Sequence, residues 1–138
     1  MVEIKDNIIK FIFGGNSLFT ITNDNGQFSY KVYKKKGCQD CSIYYCYLKY
    51  GNKNIYLGYF KVKDKVLTYK HKTNDVPYVS PYTQSILNAI HKRNDLGDVH
   101  IYHHGRCACC GRTLVDVASI ERGFGPKCWV RLRDHIQK

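Results

Sequence analysis

From Ser17 to His71, apolar and polar residues trade places with a period near two. At that spacing successive side chains leave a strand on opposite faces. The run Ile8-Ile9-Lys10-Phe11-Ile12-Phe13, stopped by Gly14-Gly15-Asn16, reads as a strand or the end of a helix, with the strand favoured. Ser17 to Thr22 is rich in β-branched and aromatic residues, and Asn23-Asp24-Asn25-Gly26 then tolerates positive φ, which predicts a hairpin. On the returning strand Phe28, Tyr30 and Val32 share one face, Ser29 and Lys31 the other. After a basic loop from Lys34 to Cys41, strands are expected over Ile43–Tyr50, Ile55–Lys63 and Val66–His71, separated by Gly51-Asn52-Lys53-Asn54 and by Asp64. Strict alternation in the second of these sets Ile55, Leu57, Tyr59, Lys61 and Lys63 against Tyr56, Phe60 and Val62.

The period then changes. Ser80 suits a helix cap and Pro81 a first helical position, and Tyr82, Ile86, Ala89, Ile90 and Arg93 recur at three and four, forming a stripe to lie on the sheet. Asn94-Asp95-Leu96-Gly97 ends that helix, Val99–Tyr102 returns as a strand, and Pro126 starts a last helix through Trp129, Val130, Leu132 and Ile136. The expected fold is α+β. Residues 1–98 form an antiparallel β-meander or small open barrel packed by one helix, and residues 99–138 a treble-clef or zinc-ribbon-like metal segment ending in a helix. No Gly/Ser/Pro-rich linker divides the 138 residues, so one compact unit is expected.

No run approaches the length of a membrane span and the first residues lack a signal pattern, so a cytoplasmic protein with no membrane partner is expected. The net charge of +11 is unevenly built: residues 1–80 hold 13 lysines and no arginine, whereas all six arginines fall in residues 81–138. Arginine is a rigid bidentate fork and lysine a solvated point charge, so specific anion contacts belong to the second segment. Seven cysteines cannot all pair within one chain, and two Cys-x2-Cys pairs favour metal over disulfides.

Cys107-x2-Cys110 followed by Gly111 fits a turn wrapped round one ion, and Cys128, in the first turn of the last helix, supplies a third thiol. The expected cofactor is zinc. His103 or His104 can supply a fourth ligand; His135 stands about 10 Å along the helix from Cys128, too far to share the ion. Cys109, between the knuckle thiols, is expected to point away, with substitution as a ligand the alternative. Cys38 and Cys41 read as a reduced thiol pair, which Cys46 and His71 are the residues to complete if it holds a second metal. Only Asp116 and Glu121 lie near the thiols. Paired carboxylates, a Ser–His–Asp order, a phosphate loop and a dinucleotide fingerprint are all missing, so the chain is not expected to be an enzyme.

The stretch His103-His104-Gly105-Arg106-Cys107-Ala108-Cys109-Cys110-Gly111-Arg112-Thr113-Leu114, followed by Ser119-Ile120 and Gly123-Phe124-Gly125-Pro126-Lys127-Cys128, resembles a small cysteine-rich domain of unknown function. That domain occurs in phage and bacterial proteins, in some fused to helicase-like or other nucleic-acid enzymes. Its histidine four places before the first cysteine implies His103 as the fourth ligand, with His104 in reserve. Phe11 to Thr20, Phe28-Ser29-Tyr30-Lys31-Val32 and Tyr56-Leu57-Gly58 resemble the longer phage members more loosely; Val115-Asp116-Val117 departs from the pattern.

Tyrosines and lysines interleave along the central strands, as on sheets that stack bases and neutralise phosphates. The function expected is nucleic-acid or nucleoprotein binding through Arg106, Arg112, Arg122, Lys49, Lys61, Lys63 and Tyr59. The alternative is a phage-encoded interaction module that inhibits a host enzyme or a CRISPR-type defence complex.

Overall fold

The computed structural model describes residues 1–24, 26–36, 42–71 and 81–137, with side chains as far as 131. Asn25, Cys38, Cys41, Ser80 and the His135 side chain lie outside the described residues. In chain order the elements are β1 (Val2–Glu3), α1 (Ile8–Ile12), β2 (Asn16–Asn23), β3 (Gly26–Lys34), β4 (Ser42–Tyr50), β5 (Lys53–Lys63), β6 (Val66–His71), α2 (Pro81–His91), β7 (His100–His103), α3 (Val117–Arg122) and α4 (Pro126–Gln137). The strands form one antiparallel sheet in the order β1-β7-β2-β3-β4-β5-β6, open at β1 and β6 rather than closed into a barrel. β7 is an interior strand, between β1 and β2, so the segment that carries the cysteines leaves directly from the sheet. Among the described residues no helix is long and apolar enough to cross a membrane.

Among the described residues only one face of the sheet is covered. Phe19, Tyr30, Val32, Cys46, Leu48, Phe60 and Ile101 are buried in one cluster with Ile8, Phe11 and Ile12 of α1, Ile86, Ala89 and Ile90 of α2, and Ala108, Leu114 and Phe124. Phe11 is the hinge of this core: its ring meets Phe19 edge-on at 6.2 Å and Phe124 at 6.0 Å. Phe13 repeats the arrangement against Tyr44 at 5.0 Å and Phe60 at 5.2 Å.

Three expectations need correction. Residues 8–12 are helical, not extended. Both edges of β2 are taken, by β3 and β7, so the segment before it has no strand to pair with. Coiled, it puts Ile8, Phe11 and Ile12 on the core at spacings of three and four. The buried face of α2 is also rotated from the expected stripe: Thr83 and Ser85 turn inward beside Ile86, Ala89 and Ile90, while Tyr82 and Arg93 are exposed. Asn23 makes the inward Ser85 tolerable by donating to its hydroxyl at 3.0 Å. Third, strict alternation fails in β5. Cys46 pairs with Gly58 but Tyr47 with Tyr56, so Leu57 is the extra residue of a bulge. The slip carries Tyr56 to the face of Tyr59 and Lys61, leaving Leu57 and Phe60 buried behind.

Candidate metal centre and the open sheet face

Beyond His103 the chain keeps its course along β2, where Asn16 N–H donates to the Ala108 carbonyl at 2.7 Å. It then folds into a hairpin closed by the Arg106↔Thr113 bridge. Leu114 N–H bonds Gly105 O at 2.8 Å and Cys107 N–H bonds Arg112 O at 2.8 Å. At the tip Gly111, at φ 77°, reverses the chain and donates to Cys107 O at 2.9 Å. A side chain there would meet both the left-handed backbone and Asn16 Nδ2 at 2.8 Å. Asp116 caps α3 by accepting from Ser119 N–H at 3.1 Å, and hydrogen bonding from the Ser119 hydroxyl, then from this amide, holds its carboxyl below the usual range. The chain then passes over Phe11 and enters α4, with Cys128 in the first turn.

The Cys107, Cys110 and Cys128 sulfurs all lie within 4.8 Å of one another. Among the described residues they are the one group of three or more His, Cys, Asp or Glu side chains close enough to share an ion. Metal–sulfur bonds of about 2.3 Å in a tetrahedron set sulfurs roughly 3.8 Å apart, so closing on an ion asks for a shift of at most about 1 Å. The thiol at Cys107 is prepared for it. Burial works to raise its pKa, but the backbone amides of Cys110, Gly125 and Cys109 outweigh burial and hold the thiol below its usual range. Gly125 N–H reaches Sγ at 3.3 Å and Cys109 N–H at 3.4 Å. Burial pushes Cys128 the other way, up to about 12, and the neighbouring Cys109 and Cys107 thiols add to the rise. A divalent ion would remove that penalty by pairing the thiolate directly.

Arg131 occupies the next turn of α4 and donates from Nη2 to Cys128 Sγ at 3.4 Å. With Arg112 and Lys127 it lines a cleft of about 510 Å³ beside the thiols. These cations oppose the net negative charge that three thiolates leave round a divalent ion. Three cysteines so placed can hold a metal.

The structure does not bring His103 to them. Its Nε2–H donates to Ile120 O and its Nδ1 accepts from Gly105 N–H at 2.9 Å, so both ring nitrogens are engaged. Burial lowers its pKa despite the Ile120 bond, which opposes the shift. His104 sits on the open side of the sheet, its Nε2 sharing a 2.7 Å hydrogen bond with Thr20 Oγ1. Cys109 lies beside Cys128 yet outside the group of three. Cys46 is in the core, its thiol pushed up to about 12 by burial.

The uncovered face of the sheet carries the other candidate residues. The Tyr45 and Tyr47 rings stand 6.1 and 5.4 Å from Tyr56, and Tyr59 pairs across β4 with Tyr45. Round this patch lie Lys31, which pairs with Tyr47, Lys70, which pairs with Tyr59, and Lys49 and Lys61 on neighbouring rows. Lys63 is exposed at the end of β5. No aspartate or glutamate occurs in β3, β4, β5 or β6. Lys31 had been legible as outward-facing from its alternation with Tyr30 and Val32; its place in the patch depends on strand order.

Of the arginines, Arg106 is exposed and bonds Gly111 O at 3.3 Å, and Arg112 is exposed at the metal cleft. Arg122 is turned inward. Its guanidinium lies over the Trp129 ring at 5.4 Å, bonds Ser119 Oγ at 3.4 Å, and has its Nε buried without a partner, which suits packing better than contact with a ligand.

No curated protein and no solved structure matches the chain. Residues 98–133, which span the end of the sheet, the hairpin and all three thiols, match a family of unknown function, DUF6011.

Proposed function

We propose that the protein binds single-stranded nucleic acid across the open face of its sheet, and that a zinc ion held by Cys107, Cys110 and Cys128 staples the hairpin and α4 beside that face in a treble-clef-like arrangement. One observation carries the reading. Four tyrosines share a surface that no described residue covers, ringed by lysines on strands without a single carboxylate. Among the described residues nothing packs over these half-buried rings, and such a face suits bases stacking on π-surfaces while ammonium groups meet phosphates. Cations that no neighbouring acid neutralises retain their attraction for a polyanion.

Zinc is the ion best suited to three thiols whose sulfurs lie within 4.8 Å of one another. Its role here is to fix shape. The side chains beside the thiols are basic, and His103 would have to release both Ile120 and Gly105 before it could join them. The ligand set proposed is therefore the three thiols, without His103.

Fluorescence anisotropy with a labelled single-stranded oligonucleotide tests the nucleic-acid reading. Tyr47→Ala and Tyr56→Ala should each weaken binding by about 1–3 kcal/mol, the worth of one stacked base. Val117→Ala, at an exposed residue of α3, should leave it unchanged. Equal affinity of the tyrosine variants and the parent protein would refute the face as the binding surface.

A further inference from the structure

Where the metal hairpin meets the open face, the two enclose a recess of about 310 Å³ lined by Asn16, Leu18, Lys31, Lys49, Arg106 and Gly111. Three of those six residues are cationic and none is acidic. Lys31 lies directly across from Tyr47, and Lys49 is two residues further along the same strand as Tyr47, so the recess borders the Tyr47–Tyr56 ring pair. Its fourth wall comes from another part of the chain. Arg106 stands on the hairpin, with one guanidinium N–H tied to Gly111 O at 3.3 Å, an orientation that keeps the fork at the mouth of the recess.

We infer that this recess is a phosphate subsite for a nucleic-acid strand whose base stacks on Tyr47 and Tyr56, and that occupancy of the subsite is coupled to the metal. The inference rests on the nucleic-acid reading above and adds to it the position of one phosphate and a dependence on the ion. The volume admits a phosphate group with part of its sugar. Two lysines act as point charges and Arg106 adds planar, directed N–H groups, a combination suited to a phosphate oxygen pair.

Coupling follows from how Arg106 is held. Its neighbour Cys107 is one of the three thiols, and its bridge partner Thr113 closes the same hairpin. Lys31 and Lys49, by contrast, are fixed by the β3–β4 ladder. Loss of the ion frees the hairpin tip, and with it the arginine, while the two lysines remain. By linkage, the strand must then tighten the metal by the factor that the metal tightens the strand.

The test is a set of anisotropy titrations of a labelled thymidine octanucleotide over a salt series, on the parent protein and Arg106→Ala, each metal-loaded and after chelation. In metal-loaded protein Arg106→Ala should lower affinity roughly tenfold at low salt and flatten the slope of log K against log salt by about 0.7, the share of one single-strand phosphate contact. Chelation of the parent should give a similar loss, and Arg106→Ala after chelation should lose nothing more. Binding by the parent with an unchanged Arg106→Ala slope overturns the subsite while leaving the sheet-face reading intact. An Arg106→Ala loss of equal size with and without metal overturns the coupling. No binding by any form at low salt overturns both readings.

Should the metal-free chain unfold, the metal-loaded Arg106→Ala/Lys49→Ala pair decides. Two side chains on one phosphate make the double loss smaller than the product of the single losses; multiplicative losses overturn the subsite.

Discussion

At the scale of single residues, the metal centre divides the polar side chains round it into those that bind and those that brace. Cys107 and Cys128 are 1% and 5% exposed, and neither is replaceable by an oxygen without loss of a soft ligand. Cys107→Ser or Cys128→Ser should abolish a single bound zinc, read by native mass spectrometry. His103→Asn should keep the zinc, because the ring is engaged with Ile120 and Gly105. It should instead lower unfolding free energy by about 1–3 kcal/mol, the cost of leaving a buried partner unsatisfied. Zinc lost with His103→Asn would restore that histidine to the ligand set.

The same residue sets a pH dependence. Burial holds the His103 pKa below 6.5, so on acidification the unfolded chain takes up its proton first. Stability from this group is therefore fully present above about pH 6.5 and is lost progressively as pH falls through the folded pKa. Acid also releases metal from thiolates, but equally in both proteins, so the comparison isolates the histidine. Between pH 7 and 5 the parent should lose more stability than His103→Asn, measured by urea denaturation; parallel curves would show that the ring is not held neutral.

At the scale of elements, the bulge in β5 matters most. It brings Tyr56 into the tyrosine patch, and it exists where Gly58 sits against β6. A Cβ on Gly58 would overlap the Lys70 carbonyl oxygen and the Tyr69 hydroxyl, in a backbone conformation (φ 156°) that other residues rarely adopt. Gly58→Ala should cost about 1–3 kcal/mol of stability, as overpacking at a fixed backbone does, and weaken oligonucleotide binding because the register of Tyr56 is disturbed. A variant as stable as the parent, with its affinity retained, would show that the bulge is not needed to place the ring. Gly58 was the one visible hint of this slip, since an isolated glycine in a strand often marks a bulge. Nothing else around Leu57 breaks the alternation.

α1 was hidden for a different reason. Six residues with five apolar side chains satisfy a buried strand and a helix equally, and what decides is that β2 has no free edge. The knuckle was legible because its geometry is local: Cys107, Cys110 and Gly111 make their turn whatever the rest of the chain does. Cys128 was legible through Pro126, which sets a helix start two residues before it. The histidine was not. Its partner Ile120 is 17 residues away and belongs to α3, whose approach no spacing in the sequence records.

At the scale of the whole molecule, a seven-stranded sheet is packed by helices on one face and, among the described residues, has no element over the other, with the metal hairpin set against β2. Removing the ion should act locally. In hydrogen exchange the Cys107, Gly111 and Leu114 amides, which bond within the hairpin, should lose protection on chelation, whereas the β3–β4–β5 ladder keeps it. Protection lost evenly across the sheet would mean that the centre holds the entire fold. Of the seven lysines in β3–β6, five (Lys31, Lys49, Lys61, Lys63 and Lys70) share the face of Tyr45 and Tyr47 with no acid among them, and only strand order makes these a single surface.

The claim that this surface takes a polyanion is tested most directly by binding of a labelled single strand to the metal-loaded protein across a salt series. Binding should be measurable at low salt, and log K should fall linearly with log salt at a slope of about −0.7 for each phosphate neutralised, near −3 if Lys31, Lys49, Lys61 and Arg106 each meet one. No binding at low salt, or an affinity indifferent to salt, would contradict it.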